Sequence, residues 1–255
     1  MDLVIRNARL DKTGAPVEVG IENGIITAVA AGGLPAAAAE IDAEGAMVSP
    51  ALVETHFHLE NALIWEGALN HSGTLEEAIA VYAAIKHDMP IADIVDRASL
   101  ALRAAIGHGV QWFRSHVDID RVGQLRLLAG NVAVRERFRD AIDLQLIAFP
   151  QMGMARDPEV IDLMWRAMDA GADVVGGMPH AERDMDDAAR HIEIAFEIAR
   201  AHDADIDMHI DETDDPAWHS LELLAEQTIA NGWQGRVTAG HCCAMSAWDD
   251  ALAER

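Results

Sequence analysis

From about residue 46 onward the chain alternates short apolar runs with helical stretches, and this alternation restricts the fold more than any single motif. The strand-like runs cover residues 47–53, 110–117, 142–149, 172–177, 205–210 and 236–239. Helix signals lie between them. Thr74-x-x-Glu77 forms a capping box before a helix around 75–87. Asp157-Pro158 and Asp215-Pro216 each place an N-cap before a proline at the first helical position. Val95, Leu102 and Ile106 share one apolar face, closed by Gly107 and Gly109. Strand-helix repetition of this kind predicts a parallel sheet, either a closed barrel or a doubly wound open sheet.

The placement of polar residues decides between the two. His56, His58, His116, Asp118, Gln151, His180, His209, Glu212 and His241 all stand at or just past the C-terminal ends of these runs. In a barrel those ends converge on one mouth, where catalytic groups collect, whereas an open sheet would spread them over a wide crevice. The expected fold is therefore α/β, a (β/α)8 TIM-like barrel over residues 49–255 with about six of its strands present. Residues 1–48 read differently, as short strands of a small β domain completed elsewhere. Leu3-Val4-Ile5 opens one strand, and residues 17–21 and 25–29 flank the hairpin signal Asn23-Gly24. The Gly32-Gly33-Leu34-Pro35 stretch and the alanine run after it read as a loop.

A formal net charge of −24 excludes nucleic acid and anionic membrane as expected partners, because both would be repelled. The two cysteines, Cys242 and Cys243, are adjacent, so neither an unstrained disulfide nor zinc-ligand spacing is available to them. Reduced thiols and the lack of a basic, then apolar, leader at the N-terminus predict a cytoplasmic location. Lysine occurs only at positions 12 and 86.

The chemistry resides in the strand-end histidines. Residues two apart on an extended strand point to the same side, so His56 and His58 can approach one cation while Phe57 packs the other way. Neutral imidazoles suit zinc or ferrous iron better than magnesium or calcium. His209 follows another strand-like run, and Glu212, three residues on, can hang over an open coordination position. A carboxylate there suits proton transfer from a water whose pKa a metal lowers to roughly 7. Glu212 equally fits a solvated acidic loop, Asp211-Glu212-Thr213-Asp214-Asp215. His241 fits a ligand, an orienter of the attacking water or a packed strand-end residue. Gln151, in Phe149-Pro150-Gln151, offers a donor and an acceptor for an amide edge, or simply ends a strand in a turn. His116 and Asp118 read as supports for the ligands. Histidines 71, 87, 108, 191, 202 and 219 read as surface residues.

The runs Val53-Glu54-Thr55-His56-Phe57-His58-Leu59 and His71-Ser72-Gly73-Thr74-Leu75 resemble bacterial cytosine deaminases of the amidohydrolase superfamily. So do Ser115-His116-Val117-Asp118, Ala148-Phe149-Pro150-Gln151, Asp173-Val174-Val175-Gly176 and Pro179-His180, then His209-Ile210-Asp211-Glu212 and Arg236-Val237-Thr238, in the same order. The resemblance implies a (β/α)8 barrel flanked by a small β-sandwich domain built from both chain ends, residues 1–48 being its N-terminal part. It also implies one divalent metal, Fe2+ or Zn2+, held by His56, His58 and His209 with an aspartate from an eighth strand. It further implies Glu212 as proton shuttle, His241 beside the hydrolytic water and Gln151 on the pyrimidine amide. The implied reaction is hydrolytic deamination of cytosine or a similar amino-substituted nitrogen heterocycle, releasing ammonia. Relatives with two metals use a carbamylated lysine on a middle strand, and neither Lys12 nor Lys86 lies on a predicted barrel strand. Two departures stand out: Glu60 where the family often has aspartate, and Cys242-Cys243 after His241. Similar enzymes that remove alkylamines from triazine rings form the alternative, but their equivalent of Glu212 can be absent. Because the chain stops soon after His241, the expectation is a truncated barrel. Its open strand edge would favour pairing with another chain, a homo-oligomer included. An inactive relative lacking the last metal ligand is the non-enzymatic reading.

Overall fold

The computed structural model of the chain describes residues 1–64 and 69–254. The chain divides into two compact units, Met1–Ala51 and Leu52–Arg255. The first is a four-stranded sheet, β1 (Leu3–Ala8), β2 (Val17–Glu22), β3 (Ile25–Ala30) and β4 (Ala39–Asp42), in the order β3-β2-β1-β4. Asn23, with φ of 51°, and Gly24, with φ of 76°, make the hairpin turn between β2 and β3. The alanine run stays in a loop as expected up to Ala38, and its last residue, Ala39, opens β4, which pairs parallel to β1. Backbone pairing to a ready edge outweighs the weak strand propensity of alanine. The described residues of this unit form this single sheet.

The second unit carries six parallel strands, β5 (Leu52–Phe57), β6 (Val110–Asp118), β7 (Asp143–Phe149), β8 (Val174–Gly177), β9 (Asp205–Ile210) and β10 (Val237–His241). They pair strictly in chain order and curl into a TIM-like half-barrel. Its helices are α1 (Leu75–Lys86), α2 (Ile91–Gly107), α3 (Arg126–Phe138), α4 (Pro158–Asp169), α5 (Met185–His202) and α6 (Ser220–Ala230). Two boundaries differ from the sequence expectation. The first barrel strand starts at Leu52 rather than near Met47, because Met47 bridges to Arg9 in the first unit. Asp215-Pro216 does not open α6; the Asp215 carboxylate accepts from the Ala217 N–H at 2.9 Å, closing a turn of its own.

Period-two alternation assigns each strand two different faces. Leu144, Leu146, Ala148, Ile206, Met208 and Ile210 point to the helices and join the main apolar core. The alternate residues, Arg114, His116 and Asp118 on β6 and Asp207 and His209 on β9, face the concave side. There Arg114 bonds Asp207 at 2.6 Å and Gln145 at 2.7 Å, tying β6, β7 and β9 below the mouth. Gly176 is required for close strand packing: a Cβ there would lie 2.5 Å from the Ala148 carbonyl oxygen. No helix among the described residues is long and apolar enough to cross a membrane.

Candidate metal centre and cavity

Five imidazoles meet at the C-terminal ends of the strands. His56 lies on β5 and His58 directly after it, His116 near the end of β6, His209 on β9 and His241 at the end of β10. Ring centroids of His56 and His209 are 4.7 Å apart, those of His58 and His209 5.3 Å, and those of His209 and His241 4.5 Å. Nitrogen atoms of His56, His58, His116 and His209 all lie within 4.8 Å of one another. His58 Nε2 and His209 Nε2 face each other at 3.3 Å, and the Nδ1 atoms of both are buried without a partner.

Burial, reinforced by His116 and His241, lowers the His56 pKa to about 4, and burial with neighbouring His116 and His56 places His58 well below its usual range. His209 is likewise lowered, by burial first and by His116 and His58 next. These rings are therefore neutral at physiological pH, and each has one lone-pair nitrogen to offer a cation. Converging neutral imidazoles with orphaned nitrogens are the donor set of a borderline divalent cation, so the residues fit a zinc or ferrous ion.

Glu212 completes a second group. One of its carboxylate oxygens lies 3.5 Å from His241 Nδ1, and ligand atoms of His209, Glu212 and His241 fall within 4.8 Å of one another. Burial raises the Glu212 carboxyl above its usual value, which suits a group that must both take and give a proton. The loop that carries it is anchored rather than solvated. Asp211, buried, accepts from the N–H groups of Ser220 and Leu221 and from the Ser220 hydroxyl, at 3.0, 3.0 and 2.6 Å. Its negative charge thus sits on the N-terminus of α6. Asp211, His241 and Cys242 take φ values of 48°, 65° and 54°, a left-handed geometry costing non-glycine residues about 1–3 kcal/mol each. Hydrogen bonds from Cys242 N–H to the Ile210 carbonyl and from Ala244 N–H to the Asp211 carbonyl, at 2.8 and 3.0 Å, hold these turns.

Gln151 stands at the opposite rim, and with Glu212 it lines a cavity of about 430 Å³ together with Ile79, Met178, His180 and Trp218. That volume suits a small ring. Both ring nitrogens of His180 are buried without a partner, and burial lowers its pKa to about 4, leaving a neutral imidazole. A larger concavity of about 1080 Å³ runs along the inner strand face past His56 and His241. Its two arginines are already paired, Arg114 with Asp207 and Arg135 with Asp173, and the smaller cavity, which Gln151 and Glu212 share, is the better receptor for a ligand.

All six expected site residues thus lie around this mouth: His56, His58, His209, Glu212 and His241 in one cluster and Gln151 across the cavity. Several participants escaped sequence reasoning. Lys86, the last residue of α1, is 2% exposed and ion-pairs with Asp118, at 2.9 Å, and with Asp120. Its signal was its rarity, being one of two lysines in a strongly acidic chain. Glu60 is wholly buried, with burial first and Asp118 second raising its carboxyl. His191, expected on the surface, is fully buried on α5. Its Nε2 accepts from the Met178 N–H at 3.1 Å and its Nδ1 bonds Glu182 at 2.8 Å, so it braces the loop that carries His180. An isolated histidine on a helix carries no sequence mark of such a bond.

Glu182 also accepts from the N–H groups of Met154 and Ala155, at 2.7 and 2.9 Å, joining the loops after β7 and β8. Burial pushes this carboxyl up, but His191 and the two N–H donors outweigh it and hold it below its usual value of 4.5. A carboxylate depressed on folding contributes stability that is present above its unfolded pKa and lost as pH falls through the folded one. Glu182→Gln is therefore expected to cost about 2 kcal/mol at neutral pH. The penalty should shrink progressively below about pH 4.5, as urea unfolding at a series of pH values would show.

The amidohydrolase family model matches residues 143–255. The chain is 37% identical to 5-methylcytosine deaminase from Klebsiella pneumoniae, solved with 5-fluorocytosine, with a TM-score of 0.91 over 98% of this chain and 61% of that one. It is 31% identical to N-isopropylammelide isopropyl amidohydrolase from Pseudomonas sp. (strain ADP), over 98% of this chain and 64% of the relative. It is 33% identical to pterin deaminase from Rhizobium rhizogenes (strain K84 / ATCC BAA-868), over 92% of this chain and 54% of the relative. The chain therefore spans less than two thirds of the length of each of these proteins. Fold, strand order and these matches agree: the chain carries a six-strand half-barrel and, over residues 143–255, the sequence pattern of the amidohydrolase family.

Proposed function

We propose that this chain carries the front of a metal-dependent deaminase acting on cytosine or a similar amino-substituted nitrogen heterocycle. The observation that supports this most is the juxtaposition of three neutral imidazoles, His56, His58 and His209, with the Glu212–His241 pair at the edge of a ring-sized cavity. In this reading the three imidazoles hold one zinc or ferrous ion, whose contribution is Lewis-acid activation of water.

The remaining chemistry falls to the side chains. His241 holds and orients the attacking water. Glu212 carries one proton from that water to the ring nitrogen, then a second, from the added hydroxyl, to the leaving amine. Gln151 binds the amide edge of the ring from the opposite side. Water adds to the amine-bearing carbon, the carbon–nitrogen bond breaks, ammonia leaves and a ring carbonyl remains. The 37% identity to 5-methylcytosine deaminase favours a pyrimidine, while the curated relatives make an alkylamino-triazine and a pterin the rival rings.

The test is amine release from cytosine, 5-methylcytosine, N-isopropylammelide and pterin, each with added zinc or ferrous ion and after chelation. Metal-dependent ammonia release from a pyrimidine is expected. Release of isopropylamine alone would transfer the assignment to the triazine class, and release from none of them would refute the proposal for this chain.

A further inference from the structure

The buried ion pair between α1 and β6 lies against Gln151, and the function above makes no use of it. Lys86 Nζ bonds Asp118 Oδ2 at 2.9 Å and also pairs with Asp120, while Asp118 is wholly buried. The ammonium also sits 5.2 Å from the centre of the Tyr82 ring. The Asp118 backbone N–H donates to Glu60 Oε1 at 3.0 Å, which fixes the end of β6. On its other side, the Asp118 carboxylate meets the Gln151 carboxamide. Ionised carboxylate oxygens only accept, so the atom facing them is Nε2, which donates to Oδ1 and Oδ2 at 3.0 Å each. The prong left for the cavity that Gln151 lines is then the acceptor Oε1.

We infer that Lys86 is a positioning residue: by clamping Asp118 as an acceptor it fixes the Gln151 carboxamide with its oxygen toward the ligand, so that this edge of the site selects rings presenting an N–H. The inference rests on the reading of Gln151 as the group that binds the ring. Lys86 arrives from a helix rather than a strand and touches no ligand. It acts through the carboxylate, as an outer partner orients an inner group. An ammonium centred between Asp118 and Asp120 holds the Asp118 carboxyl plane in place; a neutral side chain at position 86 leaves that plane free to turn and the carboxamide free to flip.

Two variants test this in the full chain. Asp118→Asn keeps volume but offers an N–H2 to Gln151, so Gln151 should invert and turn its own N–H2 to the cavity. Lys86→Met removes the clamp. In the 15N-labelled protein the Gln151 side-chain N–H2 signal, assigned by its loss in Gln151→Leu, should exchange with solvent about tenfold faster in both variants than in the native chain. With cytosine, KM should rise about tenfold while kcat changes by less than about threefold, the pattern of lost binding rather than lost chemistry. Unchanged exchange in the variants overturns the inference, as does a fall in kcat with KM unaltered. Should Lys86→Met not fold by circular dichroism, Asp118→Asn decides alone. Absence of turnover by the native chain counts against the deaminase reading, and the exchange measurement still decides the role of Lys86.

Discussion

Replacing Glu212 by glutamine is expected to lower kcat for ammonia release by about 10²–10⁴-fold, the range a positioned acid–base group contributes. Glutamine preserves the shape and hydrogen-bonding reach of the side chain but cannot carry a proton from water to the ring. The expectation follows from three structural facts: contact with His241 at 3.5 Å, a carboxyl raised by burial, and a place in the lining of the cavity. Metal content and unfolding transition should be those of the native chain, because Asp211, and not Glu212, ties the loop to α6. Steady-state kinetics with metal analysis on the same preparation separates the outcomes. A variant as active as the native chain would remove Glu212 from the mechanism.

His209→Ala is expected to abolish metal retention, reducing bound zinc after dialysis from near one equivalent to below about a tenth, since each imidazole is one of only a few ligands. The His209 ring lies against His56, His58, His116 and His241 at once and is stacked on Phe149, with centroids 4.2 Å apart. That packing holds the imidazole in one orientation before any ion arrives. Elemental analysis gives the stoichiometry, and the exposed histidine His71, changed to alanine, serves as the control. Full zinc occupancy in His209→Ala would exclude it as a ligand. The truncation also leaves a small void beside Phe149, so a loss of about 2–4 kcal/mol in stability is expected alongside.

Much of this centre was legible in the sequence because it depends on local periodicity. Two-residue spacing put His56 and His58 on one side of an extended strand wherever that strand lay, and six polar strand ends in succession pointed to a common mouth. The β6, β7 and β9 strands fall within a residue or two of the apolar runs that announced them. Where the reading slipped, a distant partner was responsible. Met47 was drawn to Arg9, Ala39 joined a strand beside β1, and the start of α6 was set by Asp211 rather than by the Asp215-Pro216 signal next to it.

The sequence by itself determined the fold class and put the six site residues at strand ends, since each such placement follows from spacing along one element. Only the tertiary structure decided the electrical state of the site. Burial makes the imidazoles neutral, anchors what had read as a solvated acidic loop, and brings Lys86 from a helix end onto Asp118 and, through it, onto Gln151. Charge, desolvation and hydrogen-bond direction depend on which groups meet across 30 or more residues, as Lys86 and Asp118 do. No spacing rule along the chain encodes that meeting.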